Sequence, residues 1–182
     1  MIIPEAIADE DITPLRPDVL VLQGLPGSGK STWWQEYFQS AVVLSADSFF
    51  YDENKKYHFD ESKLGEAHTW CLMEFVKALQ NPDLASKTII VDNNNTTVHE
   101  VSPYMNLPKC FNRHAMLLTF HCSIETCIRR QQHKVSIPDM MKKSRQLGAE
   151  SLRMPLWWQR EYIFSGGDGM EEASWVPSRE QV

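Results

Sequence analysis

Short apolar runs separated by longer amphipathic stretches are the main pattern of this 182-residue chain. Runs at 18–23, 42–45, 88–92 and 115–120 have the length and continuous apolar character of strands buried on both faces of a parallel sheet. Residues 162–164 form a weaker, fifth run. Because helical patterns come between these strands, the alternation predicts an α/β fold in which a parallel sheet of about five strands carries helices on both faces.

The amphipathic stretches predict helices at 30–39, 60–79, 98–106, 125–133 and 138–153. In the second of these, apolar residues recur at helical spacing, Asp60 is suited to cap the start, and Asn81-Pro82 ends the pattern. Pro103 and Pro108 are expected to limit or break the short helix near 98–106.

Length and composition indicate one soluble domain with a sizeable core. We place this domain at 18–165, after a loose, proline-containing arm at 1–17 and before an irregular tail at 166–182. No apolar run approaches the about 20 residues of a membrane span, and the first residues lack the pattern of a signal peptide. We therefore expect a cytoplasmic protein without a membrane partner; the pattern makes no prediction of oligomeric state.

The charge and the cysteine pattern of the chain bear on which ligands and partners it could bind. The net charge of −6 argues against strong, general nucleic-acid binding. The four cysteines form no C-x-x-C pair, so we interpret them as reduced thiols and expect no structural zinc. A basic block interrupted only by Asp139 fits either a solvated helix face or a phosphate-binding lid; it comprises Arg129, Arg130, Lys134, Lys142, Lys143 and Arg145.

One segment matches the phosphate-binding pattern G-x-x-x-x-G-K-[ST] in full: Gly24, Leu25, Pro26, Gly27, Ser28, Gly29, Lys30 and Ser31. It joins the first apolar run to the first helix, which is the context that this P-loop (Walker A) motif needs; the alternative is a glycine-rich turn without ligand. Loop N–H groups and the helix start would bind one phosphate. Lys30 would reach the β- and γ-phosphates, and Ser31 would ligate Mg²⁺. We thus predict ATP and Mg²⁺ as ligands, with Thr32, Arg129 and Arg130 completing the nucleotide site.

Two carboxylates follow neighbouring strands. Asp47 comes after the second apolar run and Asp92 ends the third, so both belong at the carboxyl edge of the sheet beside the loop. Phosphoryl transfer to a hydroxyl needs a group that takes the proton and cations that hold the γ-phosphate. Asp47 is the candidate for the first role, and Lys30, Mg²⁺ and Arg130 for the second.

Both acids also have alternative interpretations. Asp92 would bind the metal through water or position the acceptor, but it could instead stabilise the polar turn at 93–95. Asp47 could be a turn or helix-cap residue.

Residues 24–33 resemble the kinase domain of bacteriophage polynucleotide 5′-hydroxyl kinase, and more closely a group of small P-loop kinase-like proteins. In that group a Ser-x-Asp-x-Phe-Phe segment follows strand 2, as at 45–50 here. The stretches 57–70, 90–95 and 129–138 are similar to further parts of the group.

The resemblance implies a three-layer P-loop NTPase fold of the kinase type with a helical lid. It implies Asp47 as the general base, Lys30, Ser31 and Arg130 on the phosphates, and Asp92 near the acceptor or the metal. The acceptor side departs from the phage pattern, because Phe50 stands where the phage enzyme carries an arginine.

The acceptor-side candidates are Asp47, Phe50, Asp92, Asn93 and Asn95. Aromatic residues near them could stack on a base or belong to the core: Phe49, Phe50, Tyr51 and Trp70. The leading hypothesis is an ATP-dependent kinase acting on a polynucleotide 5′-OH or a nucleoside-like hydroxyl. The alternatives are a kinase for a small metabolite or for hydroxymethylpyrimidine in DNA, and a nucleotide-binding regulatory module with little turnover.

Overall fold

A computed structural model describes residues 17–131, 135–166 and 169–170, so nearly all of the arm expected at 1–17 and most of the expected tail lie outside the described residues. One sheet organises the described chain, in the order β2-β3-β1-β4-β5-β6. Its strands are β1 (Val19–Gln23), β2 (Val42–Leu44), β3 (Ile89–Asp92), β4 (Ala115–Cys122), β5 (Gln159–Gly166) and β6 (Gly169–Met170). Strands β1 to β5 are parallel, and β6 pairs antiparallel with β5.

Five α-helices lie within the described residues: α1 (Lys30–Tyr37), α2 (Leu64–Gln80), α3 (Val98–Asn106), α4 (Ile124–Arg130) and α5 (Ile137–Ser151). The central strand β1 shows how they are layered. Val19 and Val21 belong to a core cluster with residues of α2 and α3, whereas Leu20 and Leu22 belong to a cluster with residues of α1. Since alternate side chains of a strand point to opposite faces, the sheet is covered on both sides. The predicted three-layer α/β fold is confirmed.

Helix α3 differs from the expectation, because Pro103 lies inside it and does not break it. A capping box formed by Thr97 and Glu100 satisfies the helix start. The helix also buries Val101, Tyr104 and Met105 in the core. This burial offsets the backbone hydrogen bond that a proline removes. The chain continues as a 3₁₀ helix, Leu107–Phe111, with Pro108 in its first turn.

Strand β5 is longer than the weak run at 162–164 predicted. Seven of its residues pair with β4, from Gln159 opposite Met116 to Ser165 opposite Cys122. Strand β6 then pairs with the end of β5, so the segment expected to be irregular from 166 onward includes a short strand. Alternating buried and exposed side chains, such as Ile163 and Phe164, explain why no continuous apolar run marks this strand.

Helix α4 ends at Arg130, before the predicted end near 133, and residues 132–134 lie outside the described chain. Within the described residues, every helix is too short or too polar to cross a membrane.

Candidate active site

The glycine-rich loop connects β1 to α1 at the carboxyl edge of the sheet. Gly27 has a φ of 81°, and a Cβ placed there would lie 2.3 Å from the carbonyl oxygen of Cys127 in α4. Gly29, which precedes α1, has a left-handed φ of 98°. Side chains at these positions would strain the backbone or displace α4. The loop therefore has the curled backbone that the phosphate-binding pattern predicts.

Lys30 begins α1 and is only 7 % exposed. Its Nζ donates hydrogen bonds to the carbonyl oxygens of Gly24 at 2.9 Å and Leu25 at 3.0 Å, and to Oδ1 of Asn94 at 3.4 Å. Burial lowers the Lys30 pKa from 10.5 to about 8, although Asp92 and Asp47 act in the opposite direction. A phosphate bound in the loop would give this ammonium an anionic partner and favour its charged form.

Ser31 and Asp92 form the predicted pair of metal-binding oxygens. Strand β3 lies beside β1 with Asp92 opposite Leu22, which brings the carboxylate to the loop. Ser31 Oγ donates to Asp92 Oδ2 at 2.7 Å, and the indole Nε1 of Trp34 donates to the same oxygen at 2.8 Å. Hydroxyl and carboxylate oxygens are ligands that Mg²⁺ prefers, with phosphates and water completing the shell. These residues fit the ion, and no group of three His, Cys, Asp or Glu side chains suited to a metal occurs in the described chain.

Asp47 lies in the first turn of the 3₁₀ helix Ala46–Phe50, directly after β2. Its backbone N–H donates to Ser45 Oγ at 3.3 Å, which leaves the carboxylate exposed at the sheet edge. The hydroxyl of Tyr57 donates to Asp47 Oδ1 at 3.4 Å. Burial and the Asp47 charge raise the pKa of Tyr57 to about 12, so this phenol remains a neutral donor. Tyr57 is a site residue that the sequence reasoning missed, because its partner lies ten positions away across a turn.

Asn93 and Asn95 have buried side chains that bind the protein itself. Asn93 Oδ1 accepts the backbone N–H of Ala46 at 2.8 Å, which fixes the turn that carries Asp47. Asn95 Nδ2 donates to the Leu22 carbonyl at 2.7 Å, and Gln23 Nε2 donates to the Asn95 carbonyl at 2.7 Å. The hydrogen bonds of both amides are thus made to the protein, and their direct contact with an acceptor stays a prediction.

Phe50 is also inside the protein, with 5 % of its surface exposed. Its ring packs against Phe49, Tyr57 and Phe59, at centroid distances of 5.4, 6.1 and 5.2 Å. Phe50 thus belongs to the core, and its contact with an acceptor stays a prediction. The neighbouring rings of Tyr51 and Phe59 are exposed.

Some residues of the basic block after β4 face the P-loop, as a phosphate-binding lid would, and others lie on a solvated helix face. Leu25 of the loop packs with Cys127 of α4 and Met140 of α5, so both helices lie against the P-loop. Lys143 of α5 is half-buried and close enough to Lys30 to lower the pKa of that lysine, as a cation facing the site would. Lys142 and Arg145 are exposed.

The two arginines of the predicted nucleotide site, Arg129 and Arg130, are exposed in the last turn of α4. This helix is the one whose Cys127 carbonyl lies against Gly27. Helices α4 and α5 lie where the sequence predicts a helical lid, and their role as a lid stays a prediction.

Comparison with known proteins agrees with this geometry. A family model described as an AAA domain (AAA_33) matches residues 19–151. Human NEDD4-binding protein 2 is 41 % identical over 92 residues, which are 49 % of this chain and 5 % of that protein. This chain therefore corresponds to a small part of that relative.

Solved structures share the fold at low identity. A chain of the Pnkp1/Rnl/Hen1 RNA repair complex has a TM-score of 0.59 and 18 % identity, over 76 % of this chain and 46 % of that one. A gluconokinase from Sinorhizobium meliloti 1021 has a TM-score of 0.53 and 14 % identity, over 80 % of this chain and 82 % of that one. A chain of the AvrRxo1-ORF1:ORF2 structure with ATP has a TM-score of 0.58 and 14 % identity, over 87 % of this chain and 57 % of that one. The fold is that of P-loop kinases in general, and these likenesses do not single out the phage polynucleotide kinase.

Proposed function

The chain belongs to the AAA_33 family of AAA domains, and from this premise we propose that it is an ATP- and Mg²⁺-dependent kinase that phosphorylates a hydroxyl. The proposed acceptor is the 5′-hydroxyl of a polynucleotide or nucleoside. The observation that carries the proposal is the hydrogen bond of 2.7 Å from Ser31 to Asp92 beside the buried Lys30. The exposed carboxylate of Asp47 at the same edge favours an enzyme over a binding module, because a module has no use for a base there.

The P-loop side binds the donor. Backbone N–H groups of the loop and the ammonium of Lys30 hold the β- and γ-phosphates. Ser31 and Asp92 would hold Mg²⁺, which supplies charge neutralisation at the phosphate oxygens when it is bound. Arg130, with Arg129 and Lys143, adds positive charge from the lid.

Asp47 serves the acceptor. Its carboxylate takes the proton of the acceptor hydroxyl, whose oxygen forms a bond to the γ-phosphorus. The bond from that phosphorus to the β–γ bridging oxygen breaks, and ADP leaves with the electron pair. Asn93, through the N–H of Ala46, and Tyr57, through its hydroxyl, hold Asp47 in place.

Two observations support a nucleoside-bearing acceptor. The exposed rings of Tyr51 and Phe59 pack against Tyr57, which donates to Asp47, and aromatic faces bind bases by stacking. One structural neighbour belongs to an RNA repair complex. Another is a gluconokinase, so a sugar acid is the appropriate competing acceptor in the test.

The test offers γ-labelled ATP with 5′-OH DNA, 5′-OH RNA, a nucleoside and gluconate to the wild type and to Asp47→Asn. We expect label on the 5′-OH strands and none on strands that already carry a 5′-phosphate. Asp47→Asn should slow transfer by about 10²–10⁴-fold while the KM for ATP holds, because only the base is lost. Label on gluconate alone would overturn the acceptor class, and no label on any acceptor would overturn the kinase.

A further inference from the structure

The chain after Asp47 forms a hydrogen-bonded hairpin at 51–59. Tyr51 and Tyr57 pair as an antiparallel bridge, and the N–H of Asp52 donates to the Lys56 carbonyl at 3.0 Å. Asp52 Oδ1 accepts the N–H groups of Asn54 and Lys56, each at 2.9 Å. These bonds give the hairpin a defined shape beside the proposed base.

Three aromatic rings on this hairpin form what we name the aromatic platform: Tyr51, Tyr57 and Phe59. The centroids of Tyr51 and Tyr57 are 5.1 Å apart, and the rings of Tyr57 and Phe59 are near parallel, at 16° and 6.4 Å. Tyr57 and Phe59 both pack on the buried Phe50. Tyr51 and Phe59 nevertheless remain 51 % and 54 % exposed, so the core supports the platform without covering it. Large apolar surfaces left open in this way often mark binding sites.

The platform is joined directly to the proposed base. The hydroxyl of Tyr57 donates to Asp47 Oδ1, and the ring of Tyr57 packs against both Tyr51 and Phe59. A planar group stacked on the platform would therefore lie next to the residue that holds the carboxylate of Asp47.

The charges around the platform are mixed, because the exposed acids Glu53 and Glu61 lie on the same segment as exposed lysines. Asp52 is bonded to the backbone of its own turn and to His58 Nε2 at 3.0 Å. Asp60 accepts both the N–H and the hydroxyl of Ser62. Lys55 and Lys56 are exposed at the tip of the hairpin, where ammonium groups can contact backbone phosphates.

We propose that the aromatic platform binds the 5′-terminal nucleobase of a single-stranded acceptor, stacked on Phe59 beside Tyr51, so that its 5′-hydroxyl meets Asp47. Tyr57 is a positioning residue, because it acts through the carboxylate of Asp47. The inference rests on the proposed function and adds its substrate class: a strand whose terminal base is unpaired and offers an open face.

The test compares Phe59→Leu, which keeps an apolar side chain against Phe50 but removes the aromatic face, with Phe59→Trp, which keeps that face. Trp157→Leu is the matched control, since Trp157 is 75 % exposed and precedes the amino end of β5. Affinity is measured by fluorescence anisotropy with a 3′-labelled 5′-OH trinucleotide, and KM by γ-phosphate transfer. Phe59→Leu should lower the affinity for the trinucleotide and raise its KM, each by about tenfold, as expected for one lost stacking contact. The KM for ATP should not change. Phe59→Trp and the control should stay near wild type.

Tyr57→Phe separates positioning from stacking, because it keeps the ring and removes the donor to Asp47. We expect a lower kcat with an unchanged KM for the trinucleotide; a change in KM alone would overturn the positioning role. A blunt duplex with a 5′-OH end should be a poorer acceptor than the trinucleotide, and equal use would overturn the single-strand assignment.

The two proposals fail differently. If the wild type labels the strands and Phe59→Leu binds and transfers like it, the platform is wrong and the kinase stands. If the wild type phosphorylates gluconate and neither binds nor labels the trinucleotide, both the acceptor class and the platform are wrong.

Discussion

Among single residues, Lys30 combines near-complete burial with a charge, and its ammonium has exchanged water for the carbonyls of Gly24 and Leu25. The lowered pKa records that exchange. The same burial makes the residue useful, because a cation poor in water interacts strongly with an incoming phosphate. A phosphate-binding loop without ligand thus carries a cost in stability.

This cost predicts a pH dependence. With a pKa of about 8 when folded and 10.5 when unfolded, Lys30 binds its proton more weakly in the native state. The cost is present in full below pH 8 and disappears as the pH rises toward 10.5. Relative to Lys30→Met, the wild-type free energy of unfolding should therefore gain about 3 kcal/mol between pH 7 and pH 10.5.

Urea unfolding of both proteins without nucleotide, at the two pH values, measures this difference. Lys142→Met, at an exposed position of α5, is the control. Its free energy of unfolding should equal that of the wild type at both pH values. If the Lys30→Met difference stays constant with pH, the ammonium is not destabilised by burial.

Between elements, the P-loop is in close contact with α4, one of the two helices that we propose as the lid. Gly27 lies against the carbonyl of Cys127, at the last turn of the helix that ends with Arg129 and Arg130. Any side chain at this glycine must move either the loop or the helix.

Gly27→Ala should therefore lose about 1–3 kcal/mol of stability and bind ATP at least about tenfold more weakly. Gly148→Ala is the matched control: it lies in α5, and a Cβ there meets no atom within 4 Å. Alanine at that helical position should raise stability by about 1 kcal/mol. Thermal unfolding measures the stability of both variants, and titration with ATP measures their affinity. Wild-type ATP affinity in Gly27→Ala would show that the contact between the loop and α4 does not affect nucleotide binding.

At the scale of the whole molecule, the sheet order decides how the two halves of the site meet. Strand β1 carries the P-loop, β3 beside it carries Asp92, and β2 at the edge leads to Asp47. Donor groups consequently lie over the centre of the sheet, and the proposed acceptor groups lie at its open edge. This separation allows donor binding to be tested independently of transfer.

Because a ligand stabilises the state that binds it, Mg²⁺ with ATP at 100 times its Kd should add about 2.7 kcal/mol, or about 5–10 °C in Tm. Asp47→Asn should keep this shift, since it alters only the acceptor half. Lys30→Met should lose most of it. Differential scanning fluorimetry with and without nucleotide measures the shift, and an unchanged wild-type Tm would contradict the donor site.

Local signals carried much of the prediction. The glycine-rich loop needs only its own sequence and two flanking elements, and Asp47 and Asp92 were placed at the same edge because parallel strands end together. Alternating strands and helices were enough for the α/β layers. Each of these inferences depends on residues close in the chain or on a rule of sheet topology.

Only the tertiary structure decided which side chains meet the open site. Asn93 and Asn95 turn inward because they bond the Ala46 N–H and the Leu22 carbonyl, and Phe50 is buried by rings up to nine positions away. Tyr57 reaches Asp47 because the 51–59 hairpin folds back. Strand β5 forms because its backbone can pair with the edge of β4. The sequence by itself determined the phosphate loop, because the geometry of the loop is local, and it assigned the two acids to the same sheet edge, because parallel strands end together. Contacts between distant segments determined the acceptor surface, since burial and hydrogen-bond pairing there depend on the whole fold.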